Sequence, residues 1–371
     1  MGLEKEQVLK MSIIKKPYNS LSMSEIVDSI TKIGDKVTLL VSGEMGIGKS
    51  SILKELEKRH PNHIACYVDM TLKDIGDMLL PKITNLDGVD VCEFIPNIEL
   101  GIHLNKPVII MLDELTKSNK AVMNIALRLM LERKLGMHAL PKGSIVFATG
   151  NLAAEGVGDL LPPHARNRIC TVRMAKPTPD SWRFDYAMHN DVDPVVIATC
   201  LEYPEMFASF QDYEKPEQNP YIFDPRTPRL SFVTPRSMER ASDIIKVCKD
   251  SNEDTLIHLL IGCVGEAAAM NLLTILKLDN TLPTFASIVA SPETAKAPKS
   301  GAALCLVVSK VLGNVMKENM DSIMTYLDRL PREAQALFAR GIMSANCPKR
   351  PIAVTNRLFT EWCIKNGFLF T

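Results

Sequence analysis

The chain lacks any charge imbalance: 43 Lys and Arg stand against 43 Asp and Glu, a formal net charge of zero over 371 residues. Nucleic-acid-binding proteins usually carry a basic excess or stripe, so the balance argues against that class. The 46% apolar content argues equally against a disordered tail. Paired cysteines are missing too. The nine cysteines are scattered singly, with no CxxC and no cysteine–histidine cluster at zinc spacing, and they read as buried thiols of a reducing compartment. Long apolar runs are also absent. The most apolar stretch, Leu256 to Leu278, is interrupted by His258, Glu266 and Asn271, which predicts a buried helix pair rather than a membrane span. The opening "MGLEKEQVLKMSIIKK" has no uninterrupted apolar core, so no signal peptide is expected. Lys5 and Glu6 stand where a myristoylation motif beginning at Gly2 wants a hydroxyl residue. A cytoplasmic location is expected. Internal repeats and low-complexity tracts are missing as well.

What is present falls into two textures. From about Asp35 to Met174, the apolar runs "KVTLLVS", "HIACYVDM", "PVIIMLDE", "SIVFATGN" and "ICTVRM" alternate with helix-length segments. That alternation predicts a parallel sheet covered by helices. After "KPTPD" at 176–180 the strand-like runs stop. Ser237 to Lys249, Ala302 to Lys317 and Arg332 to Met343 repeat apolar residues at intervals of three and four, which predicts helices. Tyr213 to Ser237 holds five prolines and reads as a long ordered loop.

Between the first strand, expected over 37–41, and a helix expected over 49–59 lies "GEMGIGKS", Gly43 to Ser50, which fits GxxxxGK[ST]. Glycines let backbone N–H groups turn inward around an anion, and a helix N-terminus adds about half a positive charge. Gly43, Glu44, Met45, Gly46, Ile47, Gly48, Lys49, Ser50 and Ser51 are therefore candidate ATP-binding residues. Lys49 would face the β- and γ-phosphates, and Ser50 would offer its hydroxyl to Mg²⁺. The run Val108 to Leu112 predicts a buried strand that delivers Asp113 and Glu114 at its C-terminal end, where ligands of open α/β sheets bind. Asp113 would hold the Mg²⁺ shell and Glu114 would act as general base on the attacking water. Asn151 follows another buried strand, and its amide could orient that water or touch the γ-phosphate. In "FVTPRSMERAS", Thr234 suits a helix cap and Pro235 the first helical position, which places Arg236 at a helix start.

These motifs in this order resemble the AAA+ ATPases, an α/β P-loop NTPase core with a parallel sheet followed by an all-helical lid. "LDELTKSNKAVMNIALRLMLERKLG" followed by "FATGNLAAEGVGDLLPPHARNRI" is similar to the MoxR-type branch, in which a helix and a hairpin precede the sensor strand. The resemblance covers roughly residues 35 to 250. It implies a sensor-1 role for Asn151, an arginine-finger role for Arg168, with Arg166 as the alternative, and a sensor-2 role for Arg236. A finger serves the neighbouring subunit, so a homo-oligomer is implied, as a hexameric ring. "DSWRFDYA", "PEMFASF", "TPRSMERAS" and "GEAAAMNLLTIL" are similar in order to lids of MoxR-like ATPases that work beside von Willebrand factor A domain proteins, which implies a client of that kind.

The expected division is 1–175 for the core, 176–278 for the lid and 279–371 for a helical C-terminal extension. One departure stands out. Threading unfoldases carry an aromatic–apolar–glycine pore loop after the second strand, yet Phe94 is the only aromatic from Met70 to Lys106. Remodelling or maturation of a partner complex is expected in place of processive threading, with the hairpin near 136–143 and the helical region after 280 as partner surfaces. A nucleic-acid motor or loader is the rival reading, against which the neutral charge counts; a nucleotide-gated scaffold without turnover is the third, against which Glu114 and Asn151 count.

Overall fold

The computed structural model describes residues 20–152, 161–213, 215–227, 229–248, 252–344 and 347–367. Gly2 and the start of the chain, and part of the stretch after Asn151, lie outside them. The chain divides into two compact units, Met1–Lys176 and Pro177–Thr371.

The first unit is an α/β P-loop core. Its strands are β1 (Ser20–Leu21), β2 (Leu39–Ser42), β3 (Ile64–Asp69), β4 (Leu79–Leu86), β5 (Val89–Pro96), β6 (Val108–Asp113), β7 (Lys134–Leu135), β8 (His138–Ala139), β9 (Ile145–Gly150) and β10 (Cys170–Met174). Six of them form one sheet in the order β1-β10-β2-β9-β6-β3, with every neighbour parallel. Its helices are α1 (Met23–Ile33), α2 (Ser51–Arg59), α3 (Ile75–Met78), α4 (Lys120–Glu132) and α5 (Pro163–Arg166). Successive strand residues face opposite sides, and the two sides are covered by different helices. Leu39, Val41, Ile109, Met111, Ile145 and Phe147 pack with residues of α1 and α2, while Leu40, Ile110, Leu112, Val146 and Ala148 pack with the apolar stripe of α4. This double burial is why the central strands are continuous apolar runs rather than alternating ones. Helix α1 starts with a reciprocal cap: the Glu25 N–H donates to Ser22 Oγ at 3.3 Å, and the Ser22 N–H donates to Glu25 Oε2 at 2.7 Å.

The observed boundaries shift slightly from those expected. Strand β2 runs 39–42, and α2 begins at Ser51 because Gly48, with φ of 101°, keeps Lys49 and Ser50 in the turn before it. The small hairpin β7–β8 turns at Gly136, φ 59°, inside the region expected for one. Strands β4 and β5 make a second, longer hairpin that was not expected from the sequence.

Among its described residues the second unit holds no strand. Its helices are α6 (Pro179–Asp185), α7 (Pro194–Glu202), α8 (Pro235–Cys248), α9 (Glu253–Val264), α10 (Glu266–Asp279), α11 (Phe285–Ala290), α12 (Gly301–Gly313), α13 (Met320–Asp328), α14 (Arg332–Met343), α15 (Arg350–Thr355) and α16 (Arg357–Lys365). The apolar stretch 256–278 is a helix pair, α9 and α10, broken at Gly265 with φ of 87°. Two apolar clusters share α12: Cys305 and Leu306 join the residues of α7 to α10, while Val307, Val308, Val311 and Leu312 join those of α13 and α14. The proline-rich loop is tied down by Arg229, whose guanidinium donates to the carbonyls of Asn219 at 2.6 Å and Ile222 at 2.7 Å. Among the described residues, no helix is long and apolar enough to cross a membrane.

Candidate functional site

Strand β2 ends at Ser42 and the chain turns into the glycine-rich loop. The Gly43 N–H donates to Gly150 O at 3.3 Å, which stitches the loop's start to the end of β9. A Cβ on Gly43 would stand 2.7 Å from Ile47 Cδ1 and 3.2 Å from Met174 O, so a side chain there would have to push Ile47 aside and crowd a backbone carbonyl. Gly46 and Gly48 hold left-handed backbone, φ 72° and 101°. Ile47 turns its side chain into the core with residues of α1 and α2, leaving only its backbone to the loop. Glu44 is likewise turned inward, 3.8 Å from Lys176 Nζ, with both side chains nearly fully buried. Helix α2 then starts at Ser51 with no side chain capping it, and its positive end points into the loop.

Lys49 lies folded over this loop. Its ammonium, on a side chain 6% exposed, donates to Gly43 O at 2.8 Å, to Glu44 O at 2.9 Å and to Asn151 Oδ1 at 2.7 Å. The lysine is thus held at the mouth of the anion cradle by acceptors of the loop and of the strand beside it. Ser50 Oγ lies 3.4 Å from Asp113 Oδ2. Asp113, at the end of β6, accepts from Thr149 Oγ1 on one oxygen and from Tyr67 OH at 2.8 Å on the other. Glu114, the next residue, takes a left-handed turn with φ of 56°, and its N–H donates to Thr149 Oγ1 at 3.2 Å. Its carboxylate is ion-paired with Lys117 and accepts from Asn151 Nδ2 at 3.3 Å.

Five expected residues, Lys49, Ser50, Asp113, Glu114 and Asn151, therefore meet at the C-terminal ends of three adjacent strands, β2, β9 and β6. Within the same unit, Arg168 and its alternative Arg166 do not join them. Arg168 is exposed in the turn before β10, and Cys170 pairs with Leu39, the first residue of β2, so about 10 Å of strand separates that turn from the loop of its own chain. Arg166, at the end of α5, is exposed beside it. Arg236 is exposed at the second position of α8 in the other unit, where Thr234 Oγ1 accepts the Ser237 N–H at 3.0 Å as the cap expected of it.

Tyr67, Thr149, Lys117 and Lys176 join the expected residues here without having been expected from the sequence. Lys117 stands three residues beyond Glu114, a spacing that could have flagged it. Thr149 lies on β9 two residues before Asn151, but the reach of Thr149 and Tyr67 to Asp113 depends on the register of β9 and β3 against β6, which no local pattern carries.

The donor set is one of hard oxygens, a hydroxyl and a carboxylate, beside a buried ammonium and a helix N-terminus. Mg²⁺ characteristically takes one or two protein oxygens together with substrate phosphates and water. The residues fit a magnesium–nucleotide pair on these observations. No family model matches the sequence, and no curated protein matches it. Among solved structures, that of a "putative ATPase" from Cytophaga hutchinsonii aligns over 66% of this chain and 81% of its own at 12% identity, with a TM-score of 0.32. Likeness at that level leaves the functional reading to the loop and the strand ends.

Proposed function

We propose that the chain is a Mg²⁺-dependent ATPase whose site is the glycine-rich loop and the ends of β6 and β9. One observation carries this: Lys49, Ser50, Asp113, Glu114 and Asn151 converge on the same edge of the sheet although they lie in three separate segments. The loop's backbone N–H groups and the start of α2 bind the phosphates, and Lys49 exchanges its internal acceptors for phosphate oxygens. Ser50 and Asp113 hold Mg²⁺, which when bound neutralises charge on the β- and γ-phosphates. Glu114 accepts a proton from the attacking water, and Asn151, already hydrogen-bonded to Glu114, orients it.

The finer reading is a MoxR-like AAA+ ATPase acting as a homo-oligomeric, hexameric ring that remodels or matures a partner complex. The position of Arg168, exposed and at the far end of β10 from its own loop, supports a finger that serves a neighbouring subunit. The client class, a von Willebrand factor A domain protein, rests on the sequence resemblance of the helical region alone. Phosphate release from ATP tests the reading: turnover is expected with Mg²⁺, lost on chelation and lost in Lys49→Ala. Equal release by wild type and Lys49→Ala rejects it.

A further inference from the structure

Asp113 ends the strand β6, and each strand flanking β6 sends it a hydroxyl. From β9, Thr149 Oγ1 donates to Asp113 Oδ1 and accepts the N–H of Glu114 at 3.2 Å. From β3, Tyr67 OH donates to Asp113 Oδ2 at 2.8 Å, the oxygen that lies 3.4 Å from Ser50 Oγ. Thr149 is fully buried, and Asp113 is 7% exposed. A carboxylate can accept about four hydrogen bonds or metal contacts, so the two short donors fix its plane, and the longer 3.4 Å contact from Ser50 is the one a metal between the two groups would replace. A lone carboxylate at a strand end would turn about two torsions, and ordering it on ligand binding would oppose that binding.

We propose that Thr149 and Tyr67 are positioning residues for the metal: together they lock the Asp113 carboxylate against Ser50 in the geometry Mg²⁺ needs. Thr149 also ties the Glu114 peptide to the same hydroxyl, so one buried group sets both the metal ligand and the start of the left-handed turn that carries the base. The inference rests on the Mg-ATP reading given above. Partners of metal ligands characteristically contribute one to two orders of magnitude in metal affinity or activity when lost.

A fluorescent ATP analogue titrated with Mg²⁺ tests this without relying on turnover. Thr149→Val keeps the shape and removes the hydroxyl, and Tyr67→Phe does the same at a ring that is 49% exposed. In Thr149→Val the free Mg²⁺ concentration that half-saturates the metal-dependent signal is expected to rise about tenfold or more, Tyr67→Phe is expected to shift in the same direction, and Thr149→Ser should restore the wild-type midpoint. All three should bind the analogue in EDTA as wild type does. A purely structural role would lower the melting temperature and leave the Mg²⁺ midpoint in place. Midpoints within twofold of wild type in both hydroxyl-less variants overturn the proposal; if Thr149→Val does not fold, Tyr67→Phe alone decides. A wild-type protein that binds no analogue in either condition contradicts the nucleotide reading itself, so the two failures are distinguishable.

Discussion

At the residue scale, the site is a set of polar groups that satisfy one another. Lys49 spends its donors on Gly43 O, Glu44 O and Asn151 Oδ1, Asn151 donates to Glu114, and Glu114 is ion-paired with Lys117. Buried polar groups need such partners, since each unpaired one costs about 1–3 kcal/mol. The arrangement also separates binding from chemistry. The Glu114 carboxylate is held by Asn151 and Lys117, and Gln keeps its shape, so Glu114→Gln should leave nucleotide binding in place. Turnover should fall by about 10² to 10⁴ if general-base catalysis is lost. Single-turnover hydrolysis measured beside equilibrium binding checks this, and near-normal hydrolysis by Glu114→Gln would assign the base elsewhere.

At the element scale, chain conformation is enforced at a few positions. Gly265 separates α9 from α10 with φ of 87° and ψ of 161°, and a Cβ there would meet Ser231 O at 3.1 Å. Gly265→Ala should destabilise the chain by about 1–3 kcal/mol, read as a lowered denaturation midpoint; an unchanged midpoint would show that the helix break relaxes without strain. The elements that carry chemistry were legible in the sequence because each motif is contiguous: the loop lies between one strand and one helix, and Asp113, Glu114 and Asn151 each follow an apolar run. The hairpin β4–β5 was not. Its strands are exposed on both faces, with Leu80, Ile83, Leu86, Val89 and Phe94 open to solvent, so no burial period marks them. Its one local signal was Asp87–Gly88, whose positive φ values of 52° and 83° make the tight turn that such a dipeptide favours. Thr149 and Tyr67 were illegible for a different reason: their role depends on strand register, a long-range property.

At the scale of the whole molecule, the question is whether one chain is a complete enzyme. Lys49, Ser50, Asp113, Glu114 and Asn151 belong to one edge of the core, but the exposed Arg168 precedes β10 at the opposite edge. Head-to-tail assembly would bring that arginine to a neighbour's phosphates. Specific activity should then rise with protein concentration, and Arg168→Ala should lose on the order of 10³ or more in turnover, the range for fingers supplied in trans. Mixed Arg168→Ala and Lys49→Ala subunits should regain partial activity, since some interfaces join an intact loop to an intact arginine. Turnover independent of concentration, with no recovery on mixing, would mean that each chain works alone.

All of this depends on the Gly43–Ser50 loop holding a nucleoside triphosphate, and Lys49 is the group that tests it most directly. The measurement is equilibrium titration of a fluorescent ATP analogue against wild type and Lys49→Ala, with circular dichroism to confirm that both are folded. Wild type should bind saturably, and Lys49→Ala should lose most of its affinity with the fold intact. Equal affinity in the two proteins, or no binding by wild type, would contradict the nucleotide reading.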